Sequence, residues 1–191
     1  MTLLLLSAAL AADRALIPIV TAAEYAQAAK SGSIAVKVEL EVKRNGKTTN
    51  PKLDAPLYEG DELAFRFTPA SEGWVYVLNR GTSGAYTLLY PASWDGEAHL
   101  PAGQPARVPS SGGFGVTGPT GEETVALLIS PTSLGETALS RLRTMIDGDK
   151  DAPVFRALIP LSVAAAYATP PAGETELRAI LSLKHLAGAA P

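Results

Sequence analysis

Between Ile34 and Lys43 the chain repeats with a period of two residues. Ile34, Val36, Val38, Leu40 and Val42 are apolar, while Ala35, Lys37, Glu39, Glu41 and Lys43 stand between them. Successive side chains of a β-strand point to opposite faces, so this stretch predicts a strand with one buried and one largely solvated face. On a helix the same residues would be scattered around the whole surface. Asn45-Gly46 follows at once, and both residues tolerate positive φ, which is what a two-residue hairpin turn requires.

The same period recurs downstream. Glu59-Gly60-Asp61 opens onto Leu63, Phe65 and Phe67, and Ser71-Glu72-Gly73 turns the chain into Trp74-Val75-Tyr76-Val77-Leu78. A glycine-rich loop, Asn79 to Gly84, leads to Ala85-Tyr86-Thr87-Leu88-Leu89-Tyr90, where Pro91 stops the strand. Three strands in succession with short connections predict a meander. Its prolines confine the segment from Pro51 to Leu57 to a loop or an edge. The stretch from Ala92 to Gly113 reads as loop, with one short strand at Ala106-Arg107-Val108. Phe114 to Thr117 and Glu123 to Ser130 predict two strands joined by Gly118-Pro119-Thr120-Gly121. Leu177, Ala179, Leu181 and Leu183 predict a closing strand. The segment from Gly148 to Pro170 has no clear period.

Two segments carry helical signals. Thr21 and Glu24 form the pattern of a capping box ahead of an alanine-rich run that Gly32 ends, which predicts a short helix or linker. Ser133 to Ile146 predicts a longer helix capped by Ser133 with Glu136 three residues on. Leu134, Ala138, Leu142 and Met145 line one side of it. The expected fold is therefore a mainly β chain. It is an antiparallel β-sandwich, Ig-like in broad architecture, with one inserted helix before the last strands.

The first residues have a different character. Leu3-Leu4-Leu5-Leu6-Ser7-Ala8-Ala9-Leu10-Ala11 is an apolar run that ends in an A-x-A site before Ala12. That is the anatomy of a signal peptide without its basic start, and it predicts an extracytoplasmic location, periplasmic or secreted. The run is shorter than the roughly 20 apolar residues of a membrane-spanning helix, so no integral membrane segment is expected. The expected division is a leader over 1–11, a helix or linker over 12–32, and one β-sandwich domain over 33–188.

From Tyr58 to Ser130 the chain resembles the domain-of-unknown-function 4384 family. A Gly-Asp turn leads into a hydrophobic strand at Gly60, Asp61 and Leu63 to Phe67. A Gly-aromatic-x-Tyr strand follows at Gly73, Trp74, Val75 and Tyr76. Leu89-Tyr90-Pro91, the Leu-x-x-Gly step from Leu100 to Gly103, and Gly118-Pro119 with Gly121 and Glu123 complete the series. The resemblance implies a small β-rich accessory module of bacterial proteins, often exported or fused to signalling or protease-like domains. It implies no established activity.

Composition narrows the chemistry. The chain has no cysteine, which excludes disulfides, thiolate metal sites and a cysteine nucleophile. A net charge of −3 with scattered lysines and arginines gives no footprint for nucleic acid. His99 and His185 are the two histidines. A Ser-His-Asp set can be written with Ser110 or Ser111, His99 and Asp95, but no Gly-x-Ser-x-Gly elbow accompanies it. Asp147-Gly148-Asp149-Lys150-Asp151 begins like a calcium loop, yet Ala152 replaces the turn glycine and Leu158 the closing glutamate. It reads as a solvated acidic turn. No catalytic residue, metal site or cofactor is expected, and the chain is read as non-enzymatic.

The candidate binding residues are Trp94, Asp95, Tyr86 and His99. Trp94 is a loop tryptophan between Ser93 and Asp95-Gly96, which suits either a plug at one end of the sandwich or a contact with a partner. Tyr86 and Tyr90 are placed on one face, and Trp74, Tyr76 and Tyr90 are assigned to the core. The expected role is an exported interaction module that binds a protein partner at the cell envelope. A carbohydrate- or cell-wall-binding module is the first alternative, and an unrecognised hydrolase the second.

Overall fold

The structure is a computed structural model that describes residues 20–53, 55–94, 96–148, 165–170 and 173–188. The expected leader over 1–11 lies outside the described residues, as do Asp95, Asp149, Lys150 and Asp151. In chain order the elements are α1 (Ala22–Ser31), β1 (Val36–Arg44), β2 (Lys47–Thr49), β3 (Leu57–Tyr58), β4 (Glu62–Pro69) and β5 (Gly73–Arg80). They continue as β6 (Tyr86–Tyr90), β7 (His99–Leu100), β8 (Ala106–Val108), β9 (Phe114–Gly115) and β10 (Gly121–Ser130). The last are α2 (Thr137–Asp147), β11 (Ala165–Ala168) and β12 (Leu177–Leu186).

Two sheets face each other. The first has the order β11-β1-β4-β8, with β2 paired to β1 and β9 to β4. The second has the order β3-β12-β10-β5-β6, with β7 paired to β5. All pairs are antiparallel except β3 with β12. The expected antiparallel sandwich is thus present. Its strand order does not confirm the immunoglobulin likeness.

The period read in the sequence explains the packing. Val36, Val38, Leu40 and Val42 of β1 are all buried, together with Leu63, Phe65 and Phe67 of β4. They meet Val75 and Val77 of β5, Val125, Leu127 and Ile129 of β10, and Leu177, Ala179, Leu181 and Leu183 of β12. Burying such side chains, at about 25 cal/mol per Å² of apolar surface, is the main force holding the sheets together. The Asn45-Gly46 turn forms as expected, with φ of 51° and 76°, and pairs Arg44 with Lys47.

Three expectations are corrected. The meander does not form: β5 and β6 pair, but β4 belongs to the opposite sheet. Both β4 and β5 present apolar side chains to the same core, which two strands from facing sheets satisfy. The two strands expected on either side of Gly118 to Gly121 form as β9 and β10, and the turn carries the chain from one sheet to the other. Helix α2 starts at Thr137 rather than after Ser133. Gly135, at φ 51°, breaks the run, and Thr137 Oγ1 donates to Leu134 O instead. Finally, Tyr86 and Tyr90 do not share a face. A bulge opposite Val77 and Leu78 inserts Leu89, so Leu88 and Tyr86 stay on the outer face while Tyr90 turns to the core.

Helix α1 forms with the capping box intact, because Glu24 N donates to Thr21 Oγ1 and Thr21 N to Glu24 Oε2. Helix α2 lies on the outer face of the second sheet. Ala138, Leu142 and Met145 pack there against Tyr76, Leu78, Ala126 and Leu128. The apolar side expected of this helix is therefore the buried one. Tyr76 OH accepts from Leu134 N, tying the approach to α2 onto β5. Among the described residues no helix is long and apolar enough to cross a membrane.

Candidate functional site

His99 enters through β7, which pairs with the start of β5 so that His99 stands opposite Trp74. Their rings meet edge to face with centroids 4.9 Å apart. The His99 side chain remains one-third exposed, and its Nε2 lies 3.8 Å from Glu72 Oε2. Its backbone N–H donates to Glu97 Oε1 at 2.9 Å. Trp94, half-buried in the loop between β6 and β7, packs against the same apolar cluster as Trp74 under α2. Trp74, Trp94 and His99 are thus half-exposed aromatic groups with a packed backing.

Tyr86 lies elsewhere. It pairs with Arg80 at the far end of β5, six residues from Trp74, or about 20 Å along a strand. Its hydroxyl donates to Asp147 Oδ1, and the Arg143 guanidinium sits 5.0 Å over its ring. That hydrogen bond to Asp147, with burial added, pushes the Tyr86 phenol above its ordinary range despite Arg80 and Arg143 nearby. The structure therefore places Tyr86 as a tether for the end of α2, and does not bring it to His99. Asp95 is outside the described residues.

The written triad is not assembled by the fold. Ser110 and Ser111 follow β8 and run toward Glu62 at the start of β4, where Gly113 closes on the Glu62 backbone. His99 stands by Gly73 and Trp74, beyond the other end of β4, in the opposite sheet. Among the described residues no three His, Asp or Glu side chains are grouped to hold a metal ion.

A second cluster, at one end of the sandwich, was not read from the sequence. Asp61, only 2% exposed, accepts from Arg44 Nε at 2.9 Å, from Arg44 Nη2 at 2.7 Å and from the Tyr58 N–H at 2.9 Å. Arg44 also donates to Pro56 O and lies 4.7 Å over the Tyr58 ring. Burial pushes the Asp61 carboxyl up, but the Arg44 guanidinium and the Tyr58 N–H outweigh it and hold the group below its ordinary value. His185 closes this end from β12. Its side chain is fully buried, both ring nitrogens lack a hydrogen-bond partner among the described residues, and Nε2 lies 3.6 Å from Glu59 Oε2.

One signal for His185 was available. It continues the phase of Leu177, Ala179, Leu181 and Leu183, so one further step of two places it on the inner face. The Arg44–Asp61 pair had none, because it joins positions 17 residues apart across a hairpin and a proline-rich loop.

Residues 57–133 match the family model described as "Domain of unknown function (DUF4384)". The resemblance read over residues 58–130 therefore stands. The matched stretch runs from β3 past the end of β10. It contains Asp61, Trp74, Tyr86, Trp94 and His99, and leaves out Arg44, α2 and His185. No curated protein and no solved structure matches the chain.

Proposed function

We propose that this chain is a non-catalytic binding module, exported to the cell envelope, which engages a protein partner through Trp74, Trp94 and His99. The observation that carries the reading is the backing of these half-exposed rings. Each tryptophan packs on the cluster under α2, and His99 is held by the β5 pairing and the Trp74 ring. Rings fixed in advance lose little rotamer freedom on association, and tryptophan is the residue most enriched among interface hot spots. Glu72 and Glu97 supply a polar rim beside them. The apolar leader with its A-x-A site supports export.

A glycan-binding role is the second reading. Indole rings beside hydrogen-bonding groups also suit sugar rings, and the pairing of Trp74 with His99 favours it. The test is capture from the cell-envelope fraction with the full chain, comparing Trp94→Ala and Trp74→Ala with Lys37→Ala on the far sheet. One protein retained by wild type and Lys37→Ala but lost by both tryptophan variants supports the proposal. Retention by all four overturns it. A tryptophan fluorescence shift with soluble glycans, in place of protein capture, moves the assignment to the second reading.

A further inference from the structure

We propose that His185 is a proton-operated latch that fastens the turn between β3 and β4 onto the end of β12. The argument begins with the imidazole itself. A neutral ring carries one N–H donor and one acceptor, and buried polar groups of this kind normally find partners. His185 is fully enclosed, yet neither nitrogen has a hydrogen-bond partner among the described residues. The Glu59 carboxylate lies 3.6 Å from Nε2, too far for a good hydrogen bond. Glu59 sits in the exposed turn, with its side chain 57% accessible, so it is free to approach.

The charges around the ring set the direction. From the turn, Glu59 and Asp61 face it, and from the end of β1 comes Arg44, already committed to Asp61. Tyr58, the remaining titratable group of the turn, lies beneath the Arg44 guanidinium. From β10 the residue opposite is Gly121, which brings no charge. Glu122 and Lys184, the next pair in register, fall on the other face of the sheet, and Glu123 is bonded to Asn79. Val116, whose backbone pairs with Gly60 and Asp61, is apolar. With His185 neutral, the Arg44 guanidinium is taken up by Asp61, and the Glu59 carboxylate has no cation paired with it among the described residues. A proton on the imidazole supplies that cation and gives Nε2 a charged donor for Glu59, the kind of hydrogen bond that is both shorter and stronger.

The element that responds is small. β3 has two residues, and its parallel pairing joins Leu57 to His185 and Tyr58 to Leu186. Closing Glu59 onto His185 adds a side-chain bond beside that short ladder. Histidine is the side chain suited to such a switch, since its ordinary charge change falls between about pH 5 and pH 8.

The test is amide hydrogen exchange on the full chain at Tyr58, Gly60 and Leu186, corrected for the intrinsic effect of pH. Acidification across that range is expected to raise protection at these amides about tenfold in the wild type, as a charged hydrogen bond replaces none. Glu59→Gln, a change at an exposed position, is expected to abolish the gain while leaving exchange in β1 and β4 unchanged. A His185 ring resonance that titrates in the wild type completes the evidence. Protection that does not change with pH, a ring that does not titrate, or an undiminished gain in Glu59→Gln each overturns the latch.

Discussion

The outer faces of the two sheets are built on opposite principles. On the first sheet the face carries Lys37, Glu39 and Glu41 of β1, Arg66 of β4 and Arg107 of β8, all partly open to solvent. These residues pair among themselves. Lys37 meets Glu39 at 2.8 Å, and Glu41 is held by Arg107 at 2.6 Å and by Arg66 at 3.5 Å. On the second sheet the corresponding face holds Tyr76, Leu78, Ala126 and Leu128, all buried under α2. The second sheet thus lies between two large cores, whereas the first adds to its inner core only the small cluster of Ala28, Ala35 and Ala70 beside α1. Cohesion in the second sheet should depend on apolar contact on both faces, and in the first mainly on its inner face.

The sharpest way to break that contrast is to open the second core. Leu142→Ala removes a fully buried side chain from α2 and is expected to cost about 2–5 kcal/mol. Thermal or urea unfolding followed by circular dichroism reads this directly. A loss of less than about 1 kcal/mol, which is within the range of ordinary surface substitutions, would mean that α2 is not a true second layer.

Asp61, just before β4, tests the contrast from the other side, since it is a charged group of the first sheet that is buried. Asp61→Asn leaves Arg44 without its partner, and because that guanidinium is about a third exposed the expected loss is moderate, about 1–3 kcal/mol. The pH dependence has a definite sign. The folded carboxyl lies below its unfolded value, so its stabilisation is full above the unfolded value of about 3.9 and fades as pH falls toward the folded one. Wild type should therefore lose stability more steeply than Asp61→Asn below about pH 4, as measured by urea midpoints along a pH series.

Tyr76→Phe is the next step down. The ring still fills its place between β5 and α2, but Leu134 N loses its acceptor. A loss of about 1 kcal/mol is expected, with faster amide exchange at Leu134. The smallest effect belongs to the charged face. Glu41→Gln weakens two ion pairs in partial contact with water and should change stability by less than about 1 kcal/mol, with the difference shrinking in high salt.

The same contrast accounts for how much could be read from the sequence. In β1 the charged face keeps the two-residue alternation visible, and the strand and its Asn45-Gly46 turn were both legible. In β5 and β10 a run of residues is buried on both faces. The runs Val75 to Leu78 and Val125 to Ile129 therefore mark buried strands without saying which residue faces which core. For the same reason alternation could not say which sheet a strand joins, so the meander was expected where the chain in fact crosses between sheets. The start of α2 was misplaced because Ser133 and Glu136 satisfy a capping pattern that the positive φ of Gly135 overrides. Of the candidate residues, His99 meets Trp74 and Trp94 packs on the cluster under α2, while the tether to Asp147 holds Tyr86 at the far end of β5.

The place of β12 bears on how the chain is made. It lies between β3 and β10, so until residues 177–186 have been synthesised β10 has no neighbour on that side. For the few seconds that translation takes to cover the intervening residues, at roughly 5–20 per second, the nascent chain offers a long, apolar, open strand edge. A ribosome that stalls in that interval leaves a template on which other copies can pair. Holding that edge apart is the task this topology sets for whatever accompanies the chain before it folds.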